Sequence, residues 1–364
     1  MDQVSSPAEG DQLDSKHLAT LLAVERTFNS SLEIDDVLNS VMDRVVELLK
    51  AERGFIMLLE NERQLMVRVA RGIDKSTIKS DDFKVSSNII NQVVVEKKPI
   101  LSSNAMDDPR FDAFGSVSLH SIRSILCVPM ISKERVVGVI YVDNRIKTGV
   151  FKKSDLQLID AISYHAATAI ENARLYGNLK NAVRTLANAI EARDSYTRGH
   201  VERVSRYSLE IAKELNLPKM ELNEIEISSI LHDVGKIGIP DTILKKPAAL
   251  TAEEREIMKN HTIQGKAIVE PIDLSPRIKA GILYHQEKYD GTGYPEGLKG
   301  NDIPLFARIL AVADAYDAMR SDRPYRKKLP QEVAVAEMKK HKGAQFDPVV
   351  VEAFLRVLQK HGIE

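Results

Sequence analysis

A histidine and an aspartate stand side by side in Leu231-His232-Asp233-Val234-Gly235-Lys236-Ile237-Gly238. Together they offer a metal one neutral nitrogen and one anionic oxygen. The same half of the chain supplies His200 upstream, His261 and His285 downstream, and Asp314 further on, so that four of the nine histidines fall in this set. A mixed nitrogen and oxygen donor set suits iron, manganese, zinc, nickel or cobalt better than calcium or magnesium. Ions held this way make water a nucleophile at neutral pH. An isolated histidine is ordinarily a surface or core residue. The pair His232-Asp233 departs from that, because burying both beside an apolar run is costly unless something pairs with them. Asp314 lies in the apolar stretch Ile309-Leu310-Ala311-Val312-Ala313-Asp314, where solvation alone explains a charge poorly, and Asp317 follows one turn later as its companion or a cap.

Elements must bring these scattered groups together. A chain of 364 residues, 43% hydrophobic and 28% charged, has room for two ordinary cores. Its net charge of −1 advertises no nucleic-acid partner. Cys127 is the only cysteine, which excludes an intrachain disulfide framework and a thiolate metal site. It sits in an apolar run and reads as core filler. Residues 1–16 are polar, read as disordered, and lack the basic start and apolar run of a signal peptide. No apolar stretch is long enough to span a bilayer, so the expected location is cytoplasmic, without membrane contact.

Ile34, Val37, Leu38, Val41, Val45, Leu48 and Leu49 recur at helical spacing. Gly54 to Leu59 reads as a buried strand, Leu65, Val67 and Val69 as one face of a half-buried strand, and Ile125 to Ile131 with Val136 to Val142 as a hairpin around a polar turn. The first part is therefore α+β with antiparallel strands. It resembles a GAF domain, a cytoplasmic sensory module, through Ala51 to Leu59 and the hairpin Ser124 to Asp143. Some GAF domains bind cyclic nucleotides, others haem or tetrapyrroles, and many bind nothing known, so the resemblance leaves any ligand of this one unknown. His120 and Asp143 could face a pocket, although an exposed or capping role fits them better. The expected division is residues 17–165 for the GAF domain, 166–190 for a linking helix and 191–364 for a second domain. In the linker, Ala169, Asn172, Tyr176, Leu179, Val183, Leu186 and Ile190 alternate spacings of three and four, the seam of a parallel coiled coil. It predicts a homodimer, with Gly177 as its weak point.

Beyond Ala192 the pattern is helical without a convincing strand pair, so the second domain should be all-α. It resembles an HD-GYP domain, a bacterial subgroup of the HD-superfamily metal-dependent phosphohydrolases. The resemblance rests on His232 to Asp241, on His285-Gln286-Glu287-Lys288-Tyr289-Asp290-Gly291-Thr292-Gly293-Tyr294-Pro295, and on supporting blocks over about residues 182 to 362. It implies hydrolysis of cyclic di-GMP to the linear dinucleotide pGpG, to GMP, or to both. It implies two divalent ions, iron or manganese first and zinc, nickel or cobalt as alternatives. His200, His232, Asp233 and Asp314 would hold one ion. Asp233, His261 and His285 would hold the other, with Asp233 bridging. Lys236 would face the phosphate, and Tyr294, Arg323 and Arg326 would contact the dinucleotide. GGDEF-type or other signalling proteins are expected partners.

The chain departs from this pattern at Gln286, where the family commonly has a second histidine. An amide oxygen is a poorer donor, so Gln286 could complete the second site weakly. The alternative reading is then a cyclic-di-GMP-binding or protein-docking module with little turnover, and a mixed cyclic dinucleotide is a third possibility. Tyr196 stands where members with three ions have a carboxylate, which favours two ions here, with Glu191 and Asp194 as possible outer ligands.

Overall fold

The computed structural model describes residues 33–60, 64–72, 84–111, 122–193, 199–322 and 327–361. The expected disordered start, His120, Asp194, Tyr196, Arg323 and Arg326 lie outside them. The chain divides into two units, Met1–Asn178 and Leu179–Glu364.

The first unit is built on a five-stranded antiparallel sheet in the order β2-β1-β5-β4-β3, formed by β1 (Arg53–Glu60), β2 (Gln64–Arg71), β3 (Ile100–Ser102), β4 (Ser124–Ser132) and β5 (Arg135–Asn144). Side chains alternate between its faces, as strand geometry requires. Ile56, Val128 and Ile140 pack with Val41 and Val45 of helix α1 (Ile34–Leu49), whereas Phe55, Cys127 and Tyr141 pack with Ile89 and Val93 of α2 (Lys84–Glu96). The hairpin turns at Lys133 and Glu134, both at positive φ (47° and 65°), the conformation whose twist matches paired strands. The sequence pattern missed α2, because Val93-Val94-Val95 is a β-branched run that favours strand. Asp143 is neither exposed nor a cap: it is fully buried and holds the Arg53 guanidinium in a two-pronged ion pair. Cys127 is buried, and burial pushes its thiol up.

Helix α3 runs unbroken through Gly177 from Lys153 to Glu191, 39 residues. Ile159, Ile162, Ala166 and Ile170 belong to the core of the first unit, and Ala187 packs with Val201 and Ile230 in the second. The expected seam is therefore partly corrected. Ala169 is buried in its own unit and Val183 packs on its own chain, while Leu175, Leu179 and Leu186 are 51%, 62% and 67% exposed. The open stripe is Leu175, Leu179, Ala182, Leu186 and Ala189, rotated slightly from the sequence reading.

The second unit is helical: α4 (His200–Glu214), α5 (Lys219–Leu231), α6 (Asp241–Leu244), α7 (Ala252–Val269), α8 (Pro276–Tyr284), α9 (Leu305–Arg320), α10 (Gln331–Lys340) and α11 (Pro348–His361). No strand occurs among its described residues. Thr251 and Glu254 close a reciprocal capping box on α7, and Ser275 with Pro276 opens α8, both recognised start signals. Tyr207, Tyr316 and Phe354 meet edge to face, with centroids 4.8–5.7 Å apart, and tie α4, α9 and α11 into one core.

Between α5 and α6 the chain forms a short 3₁₀ segment, Val234–Gly238. Gly235 lets it lie directly on α7. A Cβ there would come 1.9 Å from the His261 carbonyl oxygen and 2.5 Å from Gly265 N. Neither backbone atom can rotate away. We expect Gly235→Ala to cost about 3 kcal/mol, at the upper end for overpacking, and to lower the melting temperature of this unit by roughly 6–12 °C. Gly238→Ala meets only the flexible Gln264 side chain and should cost less. Calorimetric melts of the two variants check the order.

Candidate metal centre

The six expected donors come from six places in the second unit. His200 is the first residue of α4, and His232 directly follows the last turn of α5. Asp233 precedes the 3₁₀ segment. His261 lies within α7, His285 ends α8, and Asp314 lies within α9. All four histidines are buried.

Each imidazole is anchored through Nδ1. That of His232 is 2.7 Å from the Ser229 carbonyl, that of His261 2.7 Å from the Met258 carbonyl, and that of His285 2.9 Å from the Ile282 carbonyl. His200 Nδ1 is 2.8 Å from Asp317 Oδ2. Carbonyl oxygens only accept, so in these three rings Nδ1 carries a hydrogen, and Nε2 is the atom left to meet a metal or a further proton. All four Nε2 atoms then face Asp233. Its Oδ2 lies 3.8 Å from His200 Nε2 and 3.4 Å from His232 Nε2. Its Oδ1 lies 3.5 Å from His261 Nε2 and 3.9 Å from His285 Nε2. One carboxylate thus divides its oxygens between two ligand groups, His200/His232/Asp233 and Asp233/His261/His285, whose donor atoms lie within 4.8 Å of one another. Asp314 Oδ1 adds a further oxygen 3.6 Å from His200 Nε2.

The residues fit metal ions. His232 Nε2 is buried and makes no hydrogen bond. His261 Nε2 and His285 Nε2 face each other at 3.3 Å, an arrangement of two acceptors that needs a cation or a proton between them. Ligands at about 2.0–2.2 Å from a shared ion stand roughly 3–4 Å apart, the range seen here. Asp233 and Asp314 retain 18% and 21% side-chain exposure, and both line a cavity.

The charges are mutually dependent. Burial works against ionising Asp233, but Lys236, with Nζ 2.7 Å from Oδ2, and His232 outweigh it and hold the carboxyl well below the usual range. Asp314 is also lowered: burial opposes, and His200 and His232 prevail. Burial would depress His232, yet Asp233 reverses this and raises it to about 9. His285 falls to about 3 through burial and the neighbouring imidazoles, and burial likewise lowers His261.

Gln286 stands beside the group, its Nε2 3.3 Å from Asp314 Oδ2. Tyr294 stacks edge-on to His261, at 6.4 Å between centroids, under Lys259 Nζ. The cavity is about 970 Å³ and is rimmed by Lys236, Lys246, Arg255 and Lys288. Three supporting residues were absent from the expected site set. Asp317, anticipated only as a companion of Asp314, instead orients His200 and binds Arg203 Nε. Arg203 lies one turn beyond His200, a spacing that could have exposed it. Glu287 is buried and accepts from the Glu296 and Gly297 N–H groups at 2.8 and 2.9 Å, fixing the loop that carries Tyr294. Beside two site residues in sequence, it reads as a surface charge.

Residues 31–171 match the GAF domain model and residues 184–350 the HD domain model. The chain is 47% identical over 170 residues to a cyclic di-GMP phosphodiesterase of Thermotoga maritima, covering 46% of each chain. It is 42% identical over 180 residues to the cyclic di-GMP phosphodiesterase response regulator RpfG of Xanthomonas campestris, covering 49% of this chain and 47% of the relative. It is 40% identical over 210 residues to a 3′3′-cGAMP-specific phosphodiesterase of Vibrio cholerae, covering 55% and 40%. The chain spans about half the length of these curated relatives, or less.

The shifts give a prediction for the metal-free protein. With its folded value raised to about 9, His232 still holds a proton at pH 7.5, whereas His261 and His285 are lowered. Metal uptake at that pH should release about one proton, and affinity should rise roughly tenfold per pH unit up to about pH 9. The same shift stabilises the metal-free fold fully below the ordinary histidine value, and that contribution is lost as pH rises through about 9. Metal titration by calorimetry in buffers of different ionisation enthalpy counts the protons.

Proposed function

On the premise that the chain joins a GAF domain to an HD domain, we propose that its second unit hydrolyses a phosphodiester bond of cyclic di-GMP, giving pGpG, GMP or both. The observation carrying this reading is the division of Asp233 between two nitrogen-rich ligand groups beneath a cavity of about 970 Å³, a volume suited to a small ligand. The names of the relatives support the substrate class.

In this reading His200, His232, Asp233 and Asp314 hold one divalent ion, and Asp233, His261 and His285 the other, with Gln286 at its margin. The donors are nitrogen and oxygen without sulfur, which favours iron or manganese and admits zinc, nickel or cobalt. When bound, such ions supply a water acidic enough to attack phosphorus near neutral pH and positive charge against the phosphoryl oxygens. The side chains do the rest. The Nδ1 anchors hold the imidazoles in the ligating tautomer. Lys236 neutralises Asp233 and lies at the cavity wall, within reach of a substrate phosphate. Tyr294 offers a ring face for a base, and Arg323 and Arg326 offer planar forks for phosphate or guanine edges. The first unit tunes turnover in response to a GAF ligand.

A second reading has one observation in its favour: Gln286 replaces the second histidine of the common pattern, leaving the second ion one imidazole poorer, and its amide nitrogen lies against Asp314. Such a centre could bind cyclic di-GMP and signal to GGDEF-type or other proteins with little turnover. Incubation with Mn²⁺ or Fe²⁺ and either cyclic di-GMP or 3′3′-cGAMP separates these readings. A linear product supports hydrolysis and identifies the preferred substrate, whereas stoichiometric binding without product supports the docking module.

Asp233→Ala should abolish binding of both ions and reduce hydrolysis by more than the roughly 10–100-fold cost of losing an outer-shell partner. Metal analysis and product chromatography check this, and full turnover in the variant would sink the assignment. We also propose a homodimer through the open stripe of α3. The double variant Leu179→Glu with Leu186→Glu should then scatter light as one 40.7 kDa chain, and the parent as two.

A further inference from the structure

Helix α4 begins at a proposed metal ligand, His200, yet has no cap of its own. Its N-cap is Gly199, in the left-handed region at φ 74°, and no side chain there bonds back to the helix. The first N–H groups of a helix lack intrahelical partners and leave the first turn free to fray. Here the missing cap comes from another helix. Glu191, the last residue of α3, accepts the His200 N–H at 2.7 Å through Oε1, and its carboxylate also engages the Val201 N–H. A carboxylate is favoured at that end by the helix dipole. Glu191 is thus turned to the backbone of a ligand and does not stand among the donors as an outer ligand.

Two residues later the same chain end grips the other half of the site. Arg193 donates to the Ile237 carbonyl at 2.8 Å, to the Ile239 carbonyl at 3.4 Å and to Asp241 Oδ1 at 2.8 Å. The two carbonyls end the 3₁₀ segment that follows His232-Asp233, and Asp241 opens α6. Asn188 adds a bond from its Nδ2 to Glu202 Oε1, 2.7 Å, on the first turn of α4. Glu191 also lines a void of about 20 Å³ shared with His200, Asp233 and Lys236.

We propose that Glu191 and Arg193 are positioning residues. They set His200 relative to His232-Asp233, so that the end of the linking helix governs the first ion's ligand group directly and meets the His261/His285 group only through the shared Asp233 and its segment. The idea rests on the metal-centre reading of the proposed function. It also gives α3, which reaches this point from the sensor unit, a physical hold on the catalytic centre.

The test is calorimetric titration of full-length metal-free protein with Mn²⁺ alone, so hydrolysis is not the readout. The parent should show two binding steps. Glu191→Ala and Arg193→Ala should weaken one step by roughly 10–100-fold, the range for partners of ligating groups, and leave the other within threefold. Glu191→Gln still accepts the His200 N–H and should restore most of the loss. If Glu191→Ala does not fold, Glu191→Asp carries the test: it keeps the charge, falls one methylene short, and should weaken the same step. Parent-like affinity at both steps in Glu191→Ala, or in Glu191→Asp where alanine does not fold, overturns the proposal. Equal weakening of both steps also does so, since that reports general loosening. A parent that binds two Mn²⁺ but hydrolyses no cyclic dinucleotide defeats the functional reading alone, and the titration still decides this one. A parent that binds no Mn²⁺ defeats both.

Discussion

The second unit depends on repulsion that only a cation can relieve. Imidazole lone pairs and two carboxylates converge on one small volume, and the Nδ1 anchors, three on backbone carbonyls and one on Asp317, turn every Nε2 toward it. Without metal, the chain meets this with Lys236 and a proton on His232. Both are single charges on the Oδ2 side of Asp233, and between them they hold the facing pair His261 and His285 toward the neutral form. The architecture therefore makes sense as a cage held open by its own helices. The aromatic junction of α4, α9 and α11 and the close approach of Gly235 to α7 keep the donors in place against their mutual repulsion.

Much of this could be read from the sequence. An aspartate beside a histidine at the end of an apolar helix, and Asp314 directly after the apolar run Ile309 to Ala313, are hard to explain unless a partner compensates them. These anomalies singled out three of the candidate donors before any coordinates, and the resemblance supplied the grouping of the rest. The heptad spacing in the linker similarly identified a long helix. What stayed hidden was long-range. Asp317 reaches His200 across more than a hundred residues, and no local pattern encodes that. Arg53 and Asp143 pair from separate strands, so Asp143 looked like an ordinary loop-edge acid. Helix α2 was missed because its β-branched residues favour the competing structure locally, while packing of Ile89 and Val93 against the sheet decides otherwise.

The rotation of the exposed stripe from the expected seam has the same origin. A spacing of three and four fits two adjacent faces of one helix, and the sequence does not say which face its own domain will claim. Once Ala169, Val183 and Ala187 are committed to their own units, the leucines beside them are left facing outward. A helix that feeds two cores and still presents a third apolar edge has little freedom to rotate without disturbing one of them.

The anchors of the four imidazoles are not equivalent. Three rest on neutral carbonyls of their own helices, while His200 alone rests on an anion, Asp317, itself steadied by Arg203. Polarisation by a carboxylate makes a ring a stronger σ-donor. The two ions of such a centre would therefore differ in electron density even with similar ligand counts, and the more electron-rich position is the one whose helix begins where the linker ends.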